Sequence, residues 1–236
     1  MTPPTALVVV PTYNERDNLP LLATALMQYP NVSLLVVDDQ SPDGTGAVAD
    51  ALARQYPERI EVMHRTAHRG LGRSYIDGIT AVLDRPVDVI CQMDADLSHE
   101  PRYLPALLAA SETADLVIGS RYLHGVSVVN WSLKRLALSV AANAYARVVT
   151  GLPVRDCTSG FQCFRREVLE AIDVARLRFS GYAFLIEVKY RSHRHGFRLA
   201  EVPIIFADRR FGVTKNSIAN IAQSAWAVWA MRLGRG

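Results

Sequence analysis

Two carboxylates separated by one residue, Asp94 and Asp96, follow an apolar run at 89–93. The run has the length and composition of a short buried strand, and Pro101 suits the first turn of a following helix. Residues two apart on extended backbone share one side, so these carboxylates would repel each other unless a cation lay between them. Mg²⁺ and Mn²⁺ prefer such oxygen ligands and keep positions open for substrate phosphates. Taken alone, the motif is a weak signal, and a solvated, aspartate-rich turn is then the favoured interpretation.

Short apolar runs alternate with helical patterns over the first half of the chain. This rhythm is typical of an α/β fold in which right-handed crossovers connect the strands of a parallel sheet. Asn14 is the predicted N-cap of the first helix, and residues 41–44 have the composition of a turn. The predicted strands are 6–10, 34–37, 60–63, 89–93 and 116–118, and the predicted helices follow residue 14, span 45–56 and 70–83, and follow Pro101.

Polar side chains directly follow three of these strands. Ligands of parallel α/β sheets bind beyond the carboxyl ends of the strands, so we expect the three groups at one edge. Neither GxGxxG nor GxxxxGKS/T occurs at the first strand-to-helix turn, which argues against a dinucleotide-binding or P-loop enzyme. Turn and helix capping explain the second group equally well. The groups are Tyr13 with Glu15, Asp38 with Asp39, and Asp94 with Asp96.

Composition sets broader bounds. The chain has 236 residues, of which 50% are hydrophobic, and a net charge of +3 that gives no indication of a nucleic-acid partner. The cysteines have no zinc-ligand spacing, and we interpret them as reduced, buried thiols. The sequence shows no signal peptide and no apolar stretch of about 18 residues, so we expect a cytoplasmic protein. The cysteines are Cys91, Cys157 and Cys163.

A set of motifs in a fixed order resembles the family 2 glycosyltransferases of GT-A fold, in particular the dolichol-phosphate (polyprenol-phosphate) mannose synthases. The resemblance extends from about residue 6 to residue 220 and implies a Rossmann-like, mostly parallel sheet flanked by helices, with amphipathic helices at the C-terminus. The motifs are Val10-Pro11-Thr12-Tyr13-Asn14-Glu15, Val36-Val37-Asp38-Asp39, Ser41-Pro42-Asp43-Gly44-Thr45, Met93-Asp94-Ala95-Asp96-Leu97-Ser98-His99, Gly119-Ser120-Arg121-Tyr122, Ser159-Gly160-Phe161, Glu201-Val202-Pro203 and Asp208-Arg209 through Gly212 to Lys215.

The resemblance implies GDP-mannose as donor and Mg²⁺ or Mn²⁺ as cofactor. It places Asp96 on the metal, with Asp94 and Ser98 as further candidate ligands, although some relatives have a glutamine where this chain has Ser98. Arg209 and Lys215 would close over the diphosphate from the 208–215 loop, which also fits an ordinary loop. The implied nucleotide-sugar residues are Pro11, Tyr13, Glu15, Val37, Asp39, Asp94, Ala95, Asp96, Arg209 and Lys215.

The resemblance also implies that Arg121, Arg135 and Ser139 bind the phosphate of a polyprenyl phosphate acceptor. A phosphate monoester has a second pKa of about 6, so it is largely dianionic at neutral pH and attacks without a general base. Arginines would orient it and a divalent metal would stabilise the leaving diphosphate, with inversion at the anomeric carbon. Asp96, Arg121 and Arg209 are therefore the candidate catalytic residues. The same fold with a UDP-sugar donor, or a catalytically silent binder, are the alternatives.

Several residues have a structural and a functional interpretation. Arg121 fits a surface salt bridge or an acceptor contact, and Asp156 fits a local cap or a contact with the sugar. His99 is expected to be a hydrogen-bonded structural residue rather than a ligand. His193 and His195 fit a solvated helix face.

We expect a single GT-A catalytic domain, 1–236, in which 1–120 bind the nucleotide sugar, 121–215 bind the acceptor and 216–236 form an amphipathic helix. Residues 131–149 and 218–233 have amphipathic patterns. Each fits core packing, a dimer contact or an interfacial helix, and a lipid acceptor favours the last. The expected location is peripheral, on the cytoplasmic face of a membrane. A separate membrane-anchoring protein stays open as a partner.

Overall fold

The computed structural model describes residues 3–66, 70–207 and 218–234, and in the last range it describes side chains from residue 225 onward. These residues form an α/β fold with a central β-sheet, a small two-stranded sheet and flanking helices. The strands are β1 (Ala6–Thr12), β2 (Val32–Asp38), β3 (Ile60–His64), β4 (Val89–Gln92), β5 (Leu116–Ser120), β6 (Val128–Val129), β7 (Gln162–Arg165), β8 (Leu199–Pro203) and β9 (Phe206–Ala207).

The helices lie between these strands and after them. Short 3₁₀ turns at Pro101–Tyr103 and Val174–Arg176 supplement them. The predicted strands and helices of the first half are confirmed, with bounds that differ by a few residues. The helices are α1 (Leu19–Leu26), α2 (Thr45–Gln55), α3 (Leu71–Val82), α4 (Leu104–Ala110), α5 (Leu133–Thr150), α6 (Arg166–Ala171), α7 (Gly181–Arg194) and α8 (Ile218–Arg232).

Within the described residues, the central sheet has seven strands in the order β3-β2-β1-β4-β7-β5-β8. Strand β1 is parallel to β2 and β4, β2 is parallel to β3, and β5 is parallel to β8. Strand β7 lies between β4 and β5 and is antiparallel to both. The predicted mostly parallel sheet is therefore confirmed, with β7 as the exception.

Helices cover both faces of the sheet, which explains why β1 is apolar throughout. Val8 and Val10 pack with α1, α2 and α4 on one face, and Leu7 and Val9 pack with α3 and α7 on the other. Helix α3 approaches the sheet closely at Gly78, where a Cβ would lie 2.7 Å from side-chain carbons of Val9 and Val37. The close approach places the start of α3 beside the strand ends.

The predicted N-cap at Asn14 is wrong. Helix α1 begins at Leu19, with Asn18 in the N-cap position and a proline in the first turn. Asn14 instead has a left-handed backbone with φ 60°, and its N–H donates to Ser41 Oγ at 3.1 Å. Asn14 tolerates this conformation better than most residues, so the loop after β1 turns toward the loop after β2 before the helix starts.

The apolar face predicted for 131–149 points outward on α5. Leu133 is 82% exposed and Val148 is 84% exposed, whereas the buried positions of the helix are Asn143, Ala146 and Thr150. Core packing therefore does not explain that face. No helix in the described part of the chain is long and apolar enough to span a bilayer.

Candidate functional site

The ends of β1, β2, β4 and β5 meet at one edge of the sheet, and the antiparallel direction of β7 brings the residues before it to the same edge. The residues after these strands and the segment 155–160 therefore surround one region. The polar groups predicted to converge there do so.

Asp39, after β2, lies at this edge in a buried ion pair. Its Oδ1 contacts Arg65 Nη1, and its Oδ2 accepts the Gly70 N–H at 2.8 Å. Arg65 is buried and also donates to Asp77 Oδ2 at 2.8 Å. Arg65 was not predicted as a site residue, because a lone cation after a strand has no distinguishing pattern. The arrangement fixes the carboxylate of Asp39 in one orientation.

The other residues after β1 and β2 are held by local contacts. Glu15 receives a hydrogen bond from Asn18 Nδ2 at 2.8 Å and donates its own N–H to Thr45 Oγ1 at 3.0 Å. Asp38 accepts hydrogen bonds from Thr12 Oγ1 and the Ser41 N–H, both at 3.3 Å, so Asp38 stabilises the turn.

Of the remaining predicted donor residues after β1 and within β2, Tyr13 is partly buried at the same edge. Pro11 pairs in register with Val37, and the Val37 side chain packs in the core. Only the backbone of Val37 therefore faces the end of the strand.

Asp94 is anchored on both sides. Its Oδ1 accepts a hydrogen bond from the Tyr75 hydroxyl at 2.9 Å, and its N–H donates to His99 Nδ1 at 3.2 Å. Burial lowers the pKa of His99, although the neighbouring Asp94 acts in the opposite direction. The neutral ring stacks on Phe161 with 5.5 Å between centroids. His99 is thus a hydrogen-bonded structural residue, as predicted.

Asp96 and Ser98 form a tight local contact. Asp96 Oδ1 accepts the Ser98 N–H at 3.1 Å and the Ser98 hydroxyl at 2.5 Å. Both residues are buried, and Ala95 between the two aspartates is buried as well. Among the described residues, no group of three or more His, Cys, Asp or Glu side chains could hold a metal ion. The all-oxygen set of Asp94, Asp96 and Ser98 nevertheless fits Mg²⁺ or Mn²⁺ that takes further oxygen ligands from a substrate.

Arg121 forms a bidentate ion pair with Asp156 at the end of β5. Arg121 Nε lies 2.7 Å from Asp156 Oδ2, and Nη2 lies 2.7 Å from Oδ1. Both side chains are buried, so the surface salt-bridge interpretation of Arg121 is wrong. Burial alone would raise the pKa of Asp156, but the Arg121 guanidinium outweighs it and holds that pKa below its usual value. The expected sugar contact of Asp156 stays a prediction.

Aromatic rings connect the three residues predicted to bind an acceptor phosphate. The Arg121 guanidinium lies 5.4 Å from the Tyr122 ring centroid and 5.8 Å from that of Trp131. The Arg135 guanidinium lies 4.1 Å from the Trp131 centroid, and the Tyr122 hydroxyl donates to Ser139 Oγ at 2.8 Å. The structure therefore brings Arg121, Arg135 and Ser139 into one cluster. Trp131 and Tyr122, which connect them, were not predicted as site residues.

Part of the predicted site lies outside the described residues. This applies to Arg209 and Lys215, the two cations predicted to close over the diphosphate, and to the whole 208–215 loop. Their roles stay predictions.

The mostly parallel sheet, with carboxylates after β4 and an arginine after β5, is the arrangement of a glycosyltransferase of the GT-A fold. The chain belongs to glycosyl transferase family 2, whose family model matches residues 7–173.

Similar proteins agree with this membership. A polyprenol monophosphomannose synthase of Mycolicibacterium smegmatis is 48% identical over 230 residues, covering 96% of this chain and 87% of the relative. An undecaprenyl-phosphate mannosyltransferase of Micrococcus luteus is 45% identical over 212 residues, covering 89% of this chain and 87% of the relative.

Solved structures share the fold at low identity. The glucosyl-3-phosphoglycerate synthase of Mycobacterium tuberculosis is similar with a TM-score of 0.67 and 22% identity, covering 98% of this chain and 80% of that chain. Its complex with Mn²⁺, UDP and glucosyl-3-phosphoglycerate gives a TM-score of 0.66 at 21% identity, again covering 98% and 80%.

Proposed function

We propose that the protein transfers mannose from GDP-mannose to a polyprenyl phosphate, releasing GDP and giving a β-linked polyprenyl-phosphate mannose. The observation that carries the proposal is the convergence of Asp94 and Asp96 with the Arg121–Arg135 cluster at one sheet edge. The names of the two relatives at 48% and 45% identity support mannose as the sugar and a polyprenyl phosphate as the acceptor.

The donor would lie across the ends of β1, β2 and β4. Glu15 and Asp39 offer carboxylate oxygens to base and ribose donors, and the fixed orientation of Asp39 favours one binding geometry. Asp94, Asp96 and Ser98 would hold Mg²⁺ or Mn²⁺, and the bound ion would offset the diphosphate charge and stabilise the leaving GDP.

The acceptor phosphate would lie against Arg121 and Arg135. An oxygen of the phosphate dianion attacks the anomeric carbon of mannose, and the bond from that carbon to the GDP oxygen breaks with its electron pair on GDP. No proton has to be removed, because the second pKa of the phosphate is about 6. The arginines orient this nucleophile and reduce its repulsion from the donor diphosphate. This accounts for a site built from cations and carboxylates without a dedicated base.

A membrane surface is the proposed location of the acceptor. Trp226 and Trp229 on α8 are 67% and 50% exposed, and the outward face of α5 carries Leu133 and Val148. The two helices are joined by a hydrogen bond from the Tyr145 hydroxyl to the Ala225 carbonyl at 2.9 Å. Such a surface supports peripheral attachment, with tryptophans at headgroup depth.

Sugar transfer tests the proposal. Labelled GDP-mannose, UDP-glucose and UDP-N-acetylglucosamine would each be offered with a short polyprenyl phosphate, in the presence of Mn²⁺ or a chelator. We expect metal-dependent mannolipid from GDP-mannose alone. Transfer from a uridine donor would overturn the donor assignment, and nucleotide binding without any transfer would support the silent-binder alternative.

A further inference from the structure

Lys189 on α7 is a buried cation that the proposed reaction does not use. Its side chain is 0% exposed, and Nζ donates to the Ser159 carbonyl at 2.8 Å and to the Leu185 carbonyl at 3.2 Å. A buried ammonium is costly unless it is paired and hydrogen-bonded, so this position calls for a specific reason.

The segment 155–160, which Lys189 contacts, is held by two other elements as well. Glu201 on β8 accepts the Asp156 N–H at 2.9 Å and the Arg155 N–H at 2.8 Å. Asn143 on α5 accepts the Cys157 N–H at 2.8 Å. The segment is therefore fixed from β8, α5 and α7 together.

The same segment borders both halves of the site. Asp156 at its beginning pairs with Arg121. At its end, a Cβ on Gly160 would lie 3.4 Å from His99 Cε1 and 3.6 Å from Asp94 Oδ1. A displacement of the segment would thus move Arg121 relative to Asp94.

The charges around Lys189 balance. Asp156 and Glu201 contribute two negative charges, and Arg121 and Lys189 contribute two positive charges. Without the positive charge of Lys189, the two negative charges of Asp156 and Glu201 would face only the positive charge of Arg121. They would then attract its guanidinium more strongly and make it less available to an anionic ligand.

We propose that Lys189 is a positioning residue for the acceptor phosphate, because it holds the Ser159 carbonyl and balances Asp156 and Glu201 so that Arg121 can serve an anion. The proposal rests on the proposed function for the assignment of Arg121 to the acceptor.

Lys189 also predicts a pH dependence. Burial lowers its pKa to about 8, with Asp156 and Glu201 acting against that shift and Arg121 acting with it. Burial raises the pKa of Cys157 to about 12, so its thiol stays neutral in this range. On α7 itself, Glu187 is paired with Arg191. The efficiency of acceptor use should therefore fall above about pH 8, as Lys189 loses its proton.

The test compares K189M with the control R176M, which removes an exposed cation from the 3₁₀ turn at 174–176. For K189M we expect the KM for a short polyprenyl phosphate to rise about tenfold, with the donor KM within about twofold of wild type. The decline of activity above about pH 8 should disappear in K189M. Equal changes in both KM values, or an unchanged pH profile, would overturn the proposal. If K189M does not fold, the wild-type protein decides: its KM for the acceptor should rise as the pH increases through about 8 while the donor KM does not, and a constant acceptor KM would overturn the proposal.

A second measurement separates this proposal from the proposed function. Amide hydrogen exchange over 155–160 should accelerate in K189M, but not in R176M, whatever the substrate is. If wild-type protein fails to transfer mannose while K189M shows the faster exchange, the proposed function fails, and what stands is that Lys189 holds the segment 155–160. If exchange over 155–160 is unchanged, the positioning role fails even where mannose transfer succeeds.

Discussion

The hydroxyl of Tyr75, in the middle of α3, donates a hydrogen bond to Asp94 Oδ1 at 2.9 Å and so connects the core of the protein to the end of β4. The ring is fully buried and stacks on Phe184 with 6.0 Å between centroids. Burial raises the pKa of Tyr75 well above its usual value, and Asp94 raises it further, so the hydroxyl stays protonated and donates. The packing of α3 thereby determines where one candidate metal ligand points.

Y75F should weaken metal use while leaving the fold intact. The substitution keeps the stacked ring and removes the hydroxyl that orients Asp94. We expect the Mn²⁺ concentration for half-maximal activity to rise about tenfold or more, since a hydrogen bond to a charged group is worth about 1.5 kcal/mol or more. A metal titration of turnover measures the effect, with Y29F, in the turn after α1, as the control. An unchanged titration would show that Tyr75 does not position a metal ligand.

D96N should reduce turnover by about 10²-fold or more, because the amide replaces a carboxylate that would hold the ion. S98A removes the hydroxyl that donates to Asp96 Oδ1 but leaves both carboxylates, so its effect should be about tenfold or less. Initial rates with Mn²⁺ and with a chelator measure both variants. A D96N enzyme with wild-type, chelator-sensitive turnover would remove Asp96 from the metal site.

D156N should destabilise the protein by about 3–5 kcal/mol, since it leaves the buried Arg121 without its counter-charge. The double variant R121M/D156N should lose less than the sum of the two single variants, because it removes both charges together. Urea unfolding of the four proteins measures the coupling. Additive losses would mean that the two side chains do not interact in solution.

The lowered pKa of Asp156 in its ion pair with Arg121 also predicts how the stability of the protein depends on pH. Because its pKa is lowered in the folded protein, its contribution is fully present above the unfolded value of about 3.9 and is lost as the pH falls through the folded value. The stability difference between wild type and D156N should be constant from about pH 5 to pH 8 and shrink in stronger acid. Unfolding free energies measured from neutral pH down into acid below about pH 4 check the direction, and a difference that grows on acidification would contradict it.

W226S/W229S should bind anionic vesicles roughly tenfold more weakly than wild type, because two exposed indoles would no longer enter the headgroup region. L21S is the matched control, since Leu21 is an exposed apolar residue on α1, which packs on the opposite face of the sheet. Co-sedimentation measures the partition. Equal binding by the two variants would show that Trp226 and Trp229 do not contact the lipid.

The sequence was sufficient for the parts of the fold that depend on local patterns. The apolar run of β1 requires a strand buried on both faces, and the residues after β1, β2 and β4 follow from where those runs stop. Asp94 and Asp96 could be located in the same way, because they are two residues apart and directly follow the apolar run of β4.

Other features depend on contacts between distant residues and could not be predicted. The pairing of Arg121 with Asp156 needs the position of β7, which no local pattern gives. Lys189 and Arg65 are buried although isolated cations are normally solvated, and their partners come from other elements. Asn14 failed as an N-cap because a contact with Ser41 in the next loop determines its backbone conformation.

The insertion of β7 between β4 and β5 has a consequence for synthesis of the chain. Strands β4 and β5 are consecutive in sequence but share no ladder, since each pairs with β7. A nascent chain that has reached Ser120 therefore has an open edge on β4 and a β5 strand without its neighbours. The pairing from β4 through β7 to β5 forms only after Arg165 has been translated, and β5 acquires its second partner only with β8. The two sides of the sheet are therefore joined late in synthesis.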